Sequence, residues 1–203
     1  MKKDGLKLMT YAFTMGFFLA QPAFGMNVAG IQMDDLVTLN KQNLQLNGAG
    51  IRYKAIFKVY AAALYLGARR STTSDVLAEH GAKRVSLVML RDVSSEELSN
   101  GFLKAMRQNL DADEKAGVMN SMFKLGAMFS GAPELVKGTV VTIDLLPDTG
   151  LNVSLNGKKF GEPILDPNLC NALLKIWLGD KPVDSRLKQA MLGINQDELA
   201  TNQ

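Results

Sequence analysis

Apolar residues first form an N-terminal run, then short alternating stretches, then helical spacing, and later alternation and helical spacing again. Leu36 to Leu39 and Leu44 to Leu46 read as short strands, with Asn47-Gly48 as a turn signal behind the second. From Ile51 to Phe57 the alternation places Ile51, Tyr53, Ala55 and Phe57 on one face, with Arg52, Lys54 and then Lys58 on the other. Val59 to Leu66 is apolar or aromatic throughout, which describes a strand covered on both faces or a buried helix. Its β-branched and aromatic flanks favour the strand.

Ser74 to Glu79 suits a short helix, and Val85 to Leu90 another core strand. Ser94 with Glu97 has the form of a capping box, and beyond it Leu98, Phe102, Ala105, Met106 and Leu110 recur at helical spacing. A second helix is announced by Asp111 with Glu114, and the spacing places Met119, Met122, Phe123 and Ala127 on its inner side. Strands return from Thr139 to Leu146 and from Leu151 to Leu155, separated by Pro147-Asp148-Thr149-Gly150, and Asn156-Gly157 turns the chain into Lys158 to Phe160. Asp166 can cap a helix starting at Pro167, whose stripe of Leu169, Leu173, Ile176 and Trp177 ends at Gly179; Pro182 then opens a last helix through Leu192. This order predicts an α+β domain, with helices packed on one face of an antiparallel sheet.

The first run changes the picture of where such a domain works. Lys2, Lys3 and Lys7 precede apolar residues from Leu8 to Ala20, and Ala23-Phe24-Gly25 supplies small residues for processing, the pattern of a secretory signal peptide over residues 1–25. Thr10, Thr14 and Gly16 interrupt a run already short for a bilayer span, so the expectation is cleavage before Met26, export to the periplasm and no stable membrane span afterwards. Residues 26–194 then form the domain and 195–203 a polar tail. Losing the leader removes three lysines and one aspartate, so the formal net charge falls from +3 to +1. No dense Lys/Arg stripe remains, and nucleic acid is not an expected partner. The pattern leaves the oligomeric state open.

Few residues offer chemistry. His80 is the single histidine, which excludes a confidently assembled catalytic triad based on it or a multi-histidine metal site. Cys170, the single cysteine, sits beside an apolar stripe and reads as an inert thiol. Met119, Met122 and Met128 could suggest a soft-metal site in an exported protein, but helical spacing explains Met119 and Met122 as core. No metal and no cofactor are expected. Gly48-Ala49-Gly50 lacks the remaining parts of a phosphate loop and reads as a turn. Arg52 stands out: within a strand, a guanidinium presents a planar fork of donors matched to a carboxylate or phenolate, although an arginine on a solvated sheet face is the plainer reading. Tyr53, Tyr60 and Tyr65 are either ligand donors or ordinary sheet aromatics.

Two segments resemble a known family. Residues 47–66, NGAGIRYKAIFKVYAAALYL, resemble the Gly-x-Gly-x-Arg segment and following strand of chalcone isomerases and chalcone-isomerase-like proteins, and residues 166–193 are similar to their C-terminal helix pair. The likeness extends over roughly residues 36–193, which includes the two helices from 95 to 128. It implies an open-faced β-sandwich, a large antiparallel sheet covered by a layer of helices, with the ligand cleft between them. The family's plant enzymes close a chalcone to a flavanone without a cofactor, an arginine holding the phenolate. Relatives without that activity bind fatty acids, the same arginine reaching the carboxylate. Arg52 matches that position, but the other catalytic positions match poorly: Tyr60 stands about where the enzymes have threonine, their helix-start Tyr and Asn fall near Ser94 and Asn100 or Gly101, and Cys170 replaces a Thr or Ser. The resemblance therefore implies a binder of a fatty or aromatic acid, with Arg52 as anion anchor and Tyr60 or Tyr53 as hydrogen-bonding neighbour. An intramolecular lyase acting on a chalcone-like phenol, and a protein-interaction domain with a closed cleft, are the alternatives. The binder requires an open apolar cavity ending at Arg52, the enzyme further donors around it, and the interaction domain neither.

Overall fold

The computed structural model describes residues 25–194; the expected leader up to Phe24 and the expected tail from Asn195 lie outside the described residues. The chain runs through β1 (Met26–Val28), β2 (Ile31–Met33), β3 (Leu36–Leu39), β4 (Gln42–Lys54), β5 (Phe57–Leu66), α1 (Thr73–Ala78), β6 (Lys83–Met89), α2 (Ser95–Asn109) and α3 (Ala112–Ser130). It continues through β7 (Val140–Leu146), β8 (Gly150–Leu155), β9 (Lys158–Ile164), α4 (Pro167–Leu178) and α5 (Ser185–Met191). Strands β3 to β9 form one antiparallel sheet in chain order, with α1 inserted between β5 and β6 and α2–α3 between β6 and β7; β1 and β2 pair as a separate hairpin. This is the α+β architecture that the pattern predicts, and β5 is the strand covered on both faces.

Period-two alternation in β5 separates two cores. Tyr60, Ala62, Leu64 and Leu66 face the helices with Val85, Leu87 and Ile143, where they meet Phe102, Phe129 and Trp177. Ala61, Ala63 and Tyr65 face the other way, into a smaller cluster closed by Val28, Met33, Leu39, Leu44 and Leu46 from β1 to β4. Toward the other strands that second face becomes polar, and Arg84 of β6 makes a two-pronged ion pair with its register partner Asp144 of β7, at 2.6 and 2.9 Å. Phe102 meets both Phe129 and Trp177 edge to face, with centroids 5.5 Å apart in each pair, so the interface between sheet and helices is filled with aromatic rings.

Several local expectations are corrected. Asn47-Gly48 is no turn: both lie inside β4, where the register with β5 shifts between Leu46 and Gly48. The bulge turns the Asn47 amide inward, where it donates to the carbonyls of Arg70 and Met191 and accepts from the Arg70 amide. The real turn is Ala55-Ile56, inside the stretch read as one continuous strand, with Lys54 and Phe57 paired across it. On α3 the inner face is Val118, Met122, Leu125 and Phe129, leaving Met119 and Phe123 52% and 65% exposed. Neither is core, contrary to the expected face. The last helix starts at Ser185 behind an Asp184 cap, three residues later than Pro182 implies. Ser94 caps α2, but the Glu97 carboxylate turns away to Arg91 and Lys54, so only half of that box forms; Asp111 and Glu114 close theirs on α3.

Candidate functional site

Gly48 and Gly50 shape the neighbourhood of Arg52. A β-carbon on Gly48 would lie 2.0 Å from the Ala190 carbonyl oxygen, and one on Gly50 would lie 2.7 Å from the Ala190 β-carbon. Only glycine at these positions lets α5 lie against β4 at this distance. The Gly-x-Gly pair is therefore a landing strip for a helix, not the turn it resembles in sequence. Asp184 fixes the other end of that contact: one carboxylate oxygen accepts from the Tyr53 amide at 2.8 Å, and the other caps α5 through the Arg186 and Leu187 amides.

Beside this junction lies a cavity of about 550 Å³, open to solvent between the end of β4, one side of α2 and the residues before α5. Its volume lies within the range of small-molecule sites. Arg52, Lys54 and Lys104 supply three cations against one carboxylate, Glu97; Asn100 and Gln108 add amides, while Ala105, Pro182 and Val183 add apolar surface. Glu97 is already engaged, at 2.8 Å by Arg91 and 3.1 Å by Lys54, and these contacts hold its carboxyl below the usual range. No carboxylate pairs with Arg52 among the described residues. Its Nε is buried without a hydrogen-bond partner. A buried cationic donor left unmatched is unfavourable.

Tyr60 is the register partner of Arg52 across β4 and β5, so the two side chains share a face. The guanidinium carbon stands 5.3 Å from the centre of the Tyr60 ring, a cation–π contact that supports Arg52 from the core side. Tyr60 itself is fully buried and accepts a 3.0 Å hydrogen bond from the Trp177 indole. Burial pushes the phenol's pKa up, and the nearby Arg52 charge only partly opposes that. Tyr60 therefore lies beneath the cavity and is not part of its lining, and Tyr53 is not among the lining residues either. Six of the ten residues lining the cavity are charged or carry an amide, and the apolar space behind Arg52 is occupied by Tyr60, Phe102 and Trp177.

Of the positions the resemblance carries over, Asn100 and Gly101 line the Arg52 cavity, whereas Ser94 caps α2 and Cys170 lies on α4. Cys170 lines a different cavity, of about 330 Å³, with Lys83 and the exposed His80; burial pushes its thiol pKa up and lowers that of the Lys83 amine. Lys104 and Gln108 also line the Arg52 cavity, beyond the residues the sequence singles out. With Glu97 and Gly101 they fall at positions 97, 101, 104 and 108, one stripe of α2, and that polar stripe was the available signal. Among the described residues no group of three or more acidic, histidine or cysteine side chains could hold a metal, and no helix is long and apolar enough to cross a membrane.

A seven-stranded antiparallel sheet, helices on one face and an arginine-centred cavity where they meet define an α+β scaffold with a cationic recess. The family model described as chalcone isomerase-like matches residues 25–193, and the chain belongs to that family. Among solved structures, a fatty-acid binding protein of Arabidopsis thaliana shares the fold with a TM-score of 0.62, covering 80% of this chain and 92% of its own at 15% identity. No curated protein matches the chain by sequence.

Proposed function

We propose that this protein is a non-catalytic binder of an amphipathic acid, fatty or aromatic, with Arg52 as the anchor of the carboxylate, and that it acts in the periplasm after removal of its leader. The observation that carries the reading is the Arg52 guanidinium: buried at Nε without a partner, backed by an aromatic ring, and set in a cavity whose one carboxylate is already engaged. A ligand carboxylate meeting the cavity-facing part of the guanidinium supplies the counter-charge that no carboxylate among the described residues gives it, with charge-assisted hydrogen bonds. The likeness to a fatty-acid binding protein points the same way. Lys104, Asn100 and Gln108 replace Tyr60 and Tyr53 as the neighbours suited to hydrogen-bond the ligand, because they line the cavity and the tyrosines do not. The cationic side chains favour the acid's head, with Ala105, Pro182 and Val183 as the apolar surface nearest to it.

Native mass spectrometry of protein purified from its own cells, followed by denaturation and identification of what is released, tests the reading. The expected result is a co-purifying carboxylic acid on the wild type that is absent from Arg52→Ala. A non-acidic ligand, or equal occupancy in the variant, contradicts it. The same spectra weigh the chain, and a mass starting at Met26 in the periplasmic fraction is the expected outcome for export. One observation favours a second reading, turnover: Asn100 and Gly101, near which the resemblance places a helix-start residue of the family's enzymes, both line the Arg52 cavity. Disappearance of chalcone absorbance above the uncatalysed rate, abolished in Arg52→Ala, would establish it.

A further inference from the structure

The turn between β4 and β5 breaks the usual composition of turns. Two-residue hairpin turns are dominated by Gly, Asn and Asp. Here the central residues are Ala55, held at φ +55°, and Ile56. Ile56 is 83% exposed and Phe57 beside it 63%. Lys54 and Lys58 bracket them, both exposed. The same end of the sheet carries the loop before β7, where exposed Val136 precedes Lys137. Asp92 there accepts from the Lys137 amide, and Glu97 is held by Arg91 and Lys54.

We propose that this hairpin tip docks on an anionic lipid bilayer, inserting Ile56 and Phe57 while Lys54 and Lys58 meet the headgroups. A convex tip with two large apolar side chains is far too small for a stable protein interface, which needs about 800 Å² from each partner. Apolar and aromatic tips flanked by lysines suit the bilayer interface, where the rings enter the acyl boundary and the ammonium groups stay among anionic headgroups. The local rule is broken in the direction of exposure, with nothing in the fold gained by it. Lys54 also lines the Arg52 cavity, so docking brings the mouth of that cavity to the lipid surface. An amphipathic acid could then pass between bilayer and protein; that consequence rests on the acid-binding reading, whereas docking does not.

The test is co-sedimentation of the full chain with vesicles of phosphatidylcholine alone and with one third phosphatidylglycerol. Wild type and variants share one N-terminus, so differences between them report the tip. The wild type is expected to sediment with the anionic vesicles, the doubly substituted Ile56→Ser, Phe57→Ser protein to partition at least about tenfold less, and Lys58→Glu to lose roughly tenfold in a salt-sensitive manner. Both proteins should keep the wild-type thermal transition and the wild-type affinity for lauric acid in vesicle-free solution. Arg52→Ala should sediment normally and lose lauric acid. Sedimentation of the double variant equal to wild type, or no binding of wild type to anionic vesicles, overturns the proposal, as does a tip that retains a protein partner and ignores lipid. If the tip variants lose vesicles while Arg52→Ala retains lauric acid, docking stands and the acid-binding reading falls.

Discussion

Arg52, Tyr60 and Trp177 form a short chain from solvent to core: guanidinium over phenol ring, phenol oxygen accepting from indole. Arg52 could be singled out from the sequence because its guanidinium offers a planar fork of donors within a strand and its Gly-x-Gly-x-Arg segment carries a family resemblance. The place of Tyr60 could not, because an unbroken apolar strand does not say which of its faces meets a ligand and which meets aromatic rings. Tyr60→Phe should remove the acceptor of a buried indole and destabilise the fold by about 1 to 3 kcal/mol, measured by denaturant unfolding. Tyr65, buried on the opposite face, has its pKa raised from 10.0 to about 12, first by burial and then by Asp34. The folded chain therefore holds this proton more tightly than the unfolded one. The stability tied to it is complete below pH 10.0 and is lost as pH rises toward about 12. Tyr65→Phe should make the fall in stability across that window shallower, as read from unfolding at stepped alkaline pH; an unchanged fall would contradict the assignment.

Elements were legible where periodicity was strong and unopposed. The buried face of α2, the α4 stripe from Leu169 to Trp177 and the Asn156-Gly157 turn, with positive φ at both residues, stand as the pattern predicts. Long-range contact overrode local preference elsewhere. Asn47-Gly48 has turn chemistry, but its neighbours are the ends of α5 and of the loop after β5, which employ the asparagine as a cross-link and the glycine as clearance. On α3 the phase was misjudged because methionine and phenylalanine appear on both faces, and Met119 and Phe123 instead line a groove of about 210 Å³ against Leu103 of α2. Gly48→Ala should force α5 away from β4 and cost about 1 to 3 kcal/mol, the range for overpacking. Because Asp184 links α5 to Tyr53, and Pro182 and Val183 line the cavity, the same variant should also weaken acid binding. A thermal melt and a lauric acid titration on one preparation check both effects.

Across the whole molecule, the alternation of strands and helices was enough to anticipate an antiparallel sheet with helices on one face, and the family-like segment singled out Arg52, which lines a recess. Its interior was not legible: whether the space between sheet and helices is hollow depends on how Phe102, Phe129 and Trp177 interlock, and no linear pattern encodes that. The space between sheet and helices behind Arg52 is a filled core, and the recess at Arg52 is cationic with apolar surface from Ala105, Pro182 and Val183. Under the proposed reading, such a recess holds the head of an acid more than its tail.

That claim is tested most directly by calorimetric titration of lauric acid into wild type and Arg52→Ala at equal pH and salt. Loss of roughly 1.5 to 3 kcal/mol of binding free energy in the variant, with its thermal stability intact, is the predicted result. Equal affinity in the two proteins would show that Arg52 does not hold the carboxylate.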